Sequence, residues 1–266
     1  MLSILEPQRI RANAGMLGAV VAGPGESYFA ALNLLQGGYP IPIDKEHPLL
    51  VFDLDDAAQA HVTRTLVEAG LAQEEAAPLP PRQRGEADGA YAEGIGLLGS
   101  YHPDLPSCVG LLIGRIVFVH VNNCASASSN DPLGTVWISP RPEWTPQHYA
   151  ETVCHELTHQ ALFLEDMLDP LFADRDDEPM VVSSIRRVER PYESSFHAAV
   201  VAAALIELGA SLGSAPITAD PGDGLVESVA AFRAAADYLT PRGRELLSEL
   251  DVVAGRAAVV SGGGMR

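Results

Sequence analysis

The chain has 266 residues, 47% hydrophobic and 20% charged, with a formal net charge of −18. That length buries a substantial core in one large domain or two small ones. The negative field repels nucleic acid and anionic membrane surfaces, and no Lys/Arg cluster makes a local exception, so neither is expected as a partner.

In chain order, residues 1–72 read as mainly helical, with a short apolar run, "PLLVFDL" (48–54), that can be a strand. The opening stretch "MLSILEPQRIRANAG" places Glu6 and Pro7 where a signal peptide needs an apolar run. The three cysteines, Cys108, Cys124 and Cys154, suggest no disulfide framework. A reducing, cytoplasmic setting is expected. Residues 73–92 lie in the charged, proline-rich stretch "AQEEAAPLPPRQRGEADG" and read as a loop or linker.

Residues 93–266 form the expected α+β core, one compact domain with the N-terminal part. "LLIGRIVFVHVNN" (111–123) and "LGTVWIS" (133–139) are β-rich and flank the small-polar loop "CASASSNDP". Strands so spaced are expected to pair as antiparallel neighbours. "WTPQHYAETVCHELTHQALFLEDML" then reads as a helix with Thr145 as N-cap and Pro146 at its first position. Tyr149, Val153, Leu157 and Leu164 recur on one face of it, and Pro170 closes it. Helices follow at 194–213, 224–239 and 240–260, and the glycine tail is expected to fray. The longest apolar run, "AAVVAAALI" (198–206), is too short to cross a bilayer. The predicted fold is mostly helical α+β, with a small antiparallel sheet beside a central helix that carries HELTH.

That motif brings chemistry. Residues four apart on a helix project from nearly the same direction, so His155 and His159 can converge on one ion. Glu156 points about 100° away, beside the metal rather than on it. Chance gives roughly 0.02 matches to HExxH in a chain of this composition. Cys154, next to His155, points elsewhere and is expected to pack into the core. A third ligand is needed. Asp166 lies about 10.5 Å along the axis beyond His159 and cannot share the ion, and His148 fails likewise on the other side. Glu178, 19 residues after His159, has the spacing of glutamate-ligand zinc peptidases, but Val182 stands where their next acidic residue belongs. His197, near the start of the apolar helix "SSFHAAVVAAAL", is the favoured third ligand. His47 and His102, each before a proline, and His61 read as structural or surface, whereas His120 on its strand is a candidate substrate contact.

HELTH on a helix, followed by "RRVERPYESSFHAAVVAAAL", resembles the HExxH-motif peptide-modification family of bacterial ribosomal-peptide pathways. Arg190-Pro191 and His197 occupy the places of that family's Arg-Pro pair and helix-opening histidine. The resemblance spans roughly residues 133–210, and "VVSSIRRVE" departs from the family's tryptophan-containing pattern. It implies an oxygenase using Fe(II), 2-oxoglutarate and dioxygen to hydroxylate a side-chain β-carbon of a precursor peptide. His155, His159 and His197 then hold the iron. Arg190, with Arg187 as runner-up, pairs with a carboxylate of 2-oxoglutarate; the plainer role of Arg190 is an ion pair with Glu189 or Glu193. Glu156 hydrogen-bonds a ligand or water. The rival is a zinc metallopeptidase in which Glu156 is the general base, with a strand such as "LGTVWIS" aligning an extended peptide. A third reading is a non-catalytic module that captures a leader peptide.

Overall fold

The computed structural model describes residues 1–36, 40–42, 47–68, 70–129, 133–175, 177–217 and 222–263. The last three residues of the glycine tail, and the expected fraying there, lie outside the described residues. Among the described residues the chain is mostly helical α+β, with nine helices, a mixed five-stranded sheet and a two-stranded antiparallel sheet.

The N-terminal part folds as α1 (Pro7–Val21), α2 (Tyr28–Leu35), β1 (Leu49–Val51) and α3 (Asp56–Glu68). Pro7 occupies the first turn of α1, and Ile10, Ala14 and Leu17 bury one face of it. The Ser27 hydroxyl caps α2 by accepting the Ala30 N–H at 3.2 Å. A two-residue strand, β2 (Ala77–Pro78), leads into α4 (Pro81–Tyr101), then α5 (Leu105–Leu112). The expected linker at 73–92 is therefore largely helix. Pro81 marks an N-terminus rather than a loop, because a helix does not need that N–H. The buried positions Ala87, Tyr91, Gly94 and Leu98 sit among exposed charges that hide the period. Gly94 lets α4 close on the motif helix, since a Cβ there would lie 2.8 Å from the Pro146 carbonyl oxygen.

The sheet is built from β3 (Arg115–His120), β4 (Ser126–Ser128) and β5 (Thr135–Ile138) together with β1 and β2. Its order is β1-β3-β5-β4, with β2 also on β3. β3 runs parallel to β1 and to β5, while β4 is antiparallel to β5. The two strands foreseen as antiparallel neighbours are neighbours, but parallel. The connection between them contains β4, which takes the antiparallel place on the outer side of β5 and sends the chain back in between. Both faces of β3 and β5 are covered, as parallel strands require. Ile116, Phe118, Val136 and Ile138 face the main core, whereas Val117, Val119, Val121 and Trp137 pack with Ala58, Val62 and Leu66 of α3.

The motif helix, α6 (Pro146–Leu168), starts at the Thr145 cap as expected; the Thr145 N–H donates to His148 Nδ1 at 3.1 Å. Val153, Cys154 and Leu157 join the main core. Burial pushes the Cys154 thiol up to about 12. The hairpin β6 (Met180–Val182) and β7 (Glu189–Pro191) leads into α7 (Tyr192–Leu212), which ends at Gly213 with φ +67°. α8 (Gly222–Ala234) and α9 (Pro241–Gly263) complete the fold. The Gly243 N–H donates to the Thr240 hydroxyl at 3.1 Å, fixing the Thr-Pro start of α9. By length and composition alone α7, at 21 residues, is long and apolar enough to cross a membrane, which the nine-residue run understates. Its apolar surface is turned inward: Ala198 through Leu205 are all buried.

A buried carboxylate ties both ends of the chain to α6. Glu165, 1% exposed, accepts Arg9 Nε at 2.9 Å, Asn13 Nδ2 at 2.6 Å and Arg242 Nε at 2.6 Å. Burial pushes its pKa up, but the hydrogen bonds of Arg9 and Arg242 outweigh this and hold it below the ordinary carboxylate value. Glu165→Ala leaves the buried Arg242 only Glu245, at 3.2 Å, and the Ser3 hydroxyl, at 3.0 Å, and is expected to lower the unfolding free energy by about 3 kcal/mol in urea titrations. His61 offers a pH test. It is 4% exposed, and neither ring nitrogen has a partner among the described residues. Burial, then Arg64 and Arg115, lowers its pKa to about 4. The unfolded chain, titrating near 6.5, binds the proton first, so stability falls as the pH drops from about 6.5 to about 4, by about 3 kcal/mol for this group. His61→Leu should flatten the pH dependence of the unfolding free energy in that window.

Candidate metal centre

α6 turns His155, His159 and Phe163 toward one cavity, successive positions four residues apart. α7 brings His197 to the same wall. The ring centroids of His155 and His159 are 5.0 Å apart, and those of His159 and His197 are 5.9 Å apart. All three rings line a cavity of about 320 Å³. The His197 ring packs against Phe163 and Phe172, with centroids at 5.2 and 6.0 Å. Burial lowers the pKa of each imidazole. In His155, Glu156 opposes the shift and Arg186 adds to it. His159 is lowered further by its two histidine neighbours and by Arg190 and Arg186. His197 falls to about 4. All three are neutral near pH 7, the form that ligates metal.

A ring centre lies about 3 Å from an ion that its nitrogen ligates, so two rings sharing one ion stand about 4.5–6 Å apart. Both separations fall in that range. No group of three His, Cys, Asp or Glu side chains among the described residues is already arranged as a metal site. The residues fit a shared ion in kind and neighbourhood, and the side chains have to draw together for all three to bind it.

Glu156 is 1% exposed and turns from the imidazole face to the sheet. Ser126 Oγ donates to its Oε1 and Ser128 Oγ to its Oε2, each at 2.6 Å. The two serines lie two apart on β4 and so present the same face. Glu156 Oε1 stands 4.0 Å from His155 Nε2. Both carboxylate oxygens are thus engaged beside the first imidazole.

Arg190 on β7 also lines the cavity. Burial, then the nearby Arg186, lowers its pKa. Among the described residues it makes no ion pair, with Glu189, Glu193 or any other carboxylate. Arg187 is not brought to the cavity. It adopts φ +56° in the turn between β6 and β7, closed by the Ser183 N–H to Val188 carbonyl bond at 2.9 Å. That turn sends its side chain to Glu227, 2.6 Å away. Arg186 lines the cavity instead.

The other candidates are placed elsewhere. Glu178 Oε1 accepts the Glu193 N–H at 2.9 Å, capping the first turn of α7. Asp166 Oδ1 accepts the Leu171 N–H at 2.7 Å, and His148 caps α6. His120 sits opposite Ala77 of β2 and does not line the cavity. Sequence reasoning missed Ser126, Ser128 and Arg186, and also Thr65 and Glu68, by which α3 joins the cavity lining. The alternation of "SAS" is the available signal for the serines, but it lies inside the stretch that reads as a small-polar loop.

No protein-family model matches the chain, and no curated protein matches it in sequence.

The serine pair makes a direct prediction. Ser126→Ala or Ser128→Ala removes a hydrogen bond to a buried carboxylate and should each lower the unfolding free energy by about 1.5–3 kcal/mol, measured by urea titration. Thr at either position, which keeps the hydroxyl, should restore most of the loss.

Proposed function

We propose that the protein is an Fe(II)- and 2-oxoglutarate-dependent oxygenase that hydroxylates a side-chain β-carbon of a ribosomally made precursor peptide. One observation carries the reading: Arg190, a cation with no ion pair among the described residues, lines the same cavity as three neighbouring imidazoles. A guanidinium grips a carboxylate in bidentate fashion and gains most where water is scarce. Two imidazoles from α6 and one from α7 would hold the iron, leaving coordination positions for small ligands.

Bound Fe(II) with the ketoacid supplies oxidation of an unactivated C–H bond by dioxygen, with succinate and carbon dioxide as co-products. The protein's own groups do the rest. Burial keeps the three rings neutral and their lone pairs free. Phe163 and Phe172 pack against the His197 ring and hold it in place. Arg190 orients the ketoacid. Glu156, held by two serine hydroxyls, keeps α6 in register with β4. Those two hydrogen bonds engage both of its oxygens on the sheet side, which favours the oxygenase over the peptidase.

The zinc peptidase remains the second reading on one specific observation, the position of Glu156 Oε1 4.0 Å from His155 Nε2. The test is metal loading under anaerobic conditions followed by succinate release. Iron is expected to support ketoacid turnover, which Glu156→Gln retains and His159→Ala abolishes. Arg190→Met is expected to raise the ketoacid KM by about 30-fold, the equivalent of about 2 kcal/mol, with iron binding unchanged. Peptide cleavage by the zinc form, lost in Glu156→Gln, would overturn the oxygenase in favour of the peptidase.

A further inference from the structure

β4 closes one end of the sheet, and its register shows what its outer edge offers. The Ser139 N–H donates to the Ala125 carbonyl at 2.7 Å, and the pairs that follow are Ser126 with Ile138, Ala127 with Trp137 and Ser128 with Val136. Hydrogen-bonded and non-hydrogen-bonded pairs alternate in an antiparallel ladder. Ala127 therefore turns its N–H and carbonyl to β5, while Ser126 and Ser128 turn theirs outward. Among the described residues only the Cys124 thiol reaches this edge, at the Ser126 carbonyl, 3.2 Å away. The strand is held rigid from behind, because both serine hydroxyls bind Glu156. Its edge borders the cavity that contains the imidazoles.

The charge around that edge is divided between cations of the β6–β7 hairpin, Arg186 and Arg190, and carboxylates of two helices. Glu68 of α3 and Glu193 of α7 both line the cavity, both are exposed, and neither makes an ion pair among the described residues. Burial, then Glu178 and Asp166, holds Glu193 above the ordinary carboxylate value, so a cation arriving there relieves like-charge crowding. The net charge of −18 steers cations to the molecule.

We propose that the outer edge of β4 docks an extended peptide segment carrying a basic residue directly beside the residue to be modified. An added strand alternates its side chains between the two faces of the sheet. One set falls on the face of Ser126 and Ser128, where α6 presents its imidazoles. The next residue on either side falls on the face of Ala127 and Trp137, which α3 covers, and there meets Glu68. Backbone pairing supplies the affinity, and the flanking cation sets the register. The inference deepens the peptide-modifying function proposed above and rests on it for the fate of the bound peptide.

Docking is tested by calorimetry on the full, metal-free chain, so that activity does not enter. The probe is an end-blocked heptapeptide of alternating Ala and Thr with one central Asp, carrying either Lys or Glu on each side of it. The Lys peptide is expected to bind about fivefold more tightly than the Glu peptide at low salt. Glu68→Lys should reverse that order. N-methylation of the alternate residues that face the edge should weaken binding by about tenfold, and of the intervening residues should not. Equal binding of all methylated forms, absence of charge preference, or no binding of either peptide would overturn the docking site. Succinate release coupled to peptide oxidation, without any of these preferences, would leave the oxygenase standing and remove the edge. Docking as described without turnover would do the reverse.

Discussion

A carboxylate on α6, buried and grasped by two hydroxyls of one short strand, is the joint on which this architecture turns. A buried charge is tolerated only when its lone pairs are satisfied. Glu156 meets that requirement through Ser126 and Ser128 alone among the described residues. Helix and sheet are thereby fixed in rotation and in height. Because His155 is the neighbouring residue, the same contact sets where the first imidazole stands relative to the sheet edge. The hydrogen bonds thus serve the fold and the position of the chemistry together.

Around that joint the charges are sorted by depth. The innermost groups are neutral rings, kept so by burial, with phenyl groups packed against the third of them. Beside them stands the Arg190 guanidinium, without a counter-ion among the described residues. Outermost are exposed glutamates on two separate helices.

Much of the site was legible in the sequence because it is local. Thr145, Pro146 and the apolar spacing locate α6 to the residue, and the i, i+4 rule places both of its histidines on one face. His197 was reachable because a polar ring on an otherwise apolar helix needs a reason. The parts that escaped depend on contacts distant in the chain. β4 is three residues long within a polar stretch, and nothing local distinguishes it from a turn. The parallel pairing of β3 and β5 follows only once β4 takes the outer place. Arg186 and Arg187 are adjacent, and one residue in a left-handed turn decides which of them faces inward. The start of α4 was hidden because proline and charge mark a loop and a helix N-terminus alike.

The double coverage of β5 has a consequence for modularity. Its inner face rests on the helix that carries HELTH and its other face on α3, which belongs to the first quarter of the chain. A fragment starting after residue 92 would carry every candidate ligand, yet Trp137, Val117 and Val119 would lie bare to water, and Glu165 would lose Arg9 and Asn13. The catalytic-looking half is not a transplantable cassette: the seemingly generic leading segment is the other slab of its scaffold.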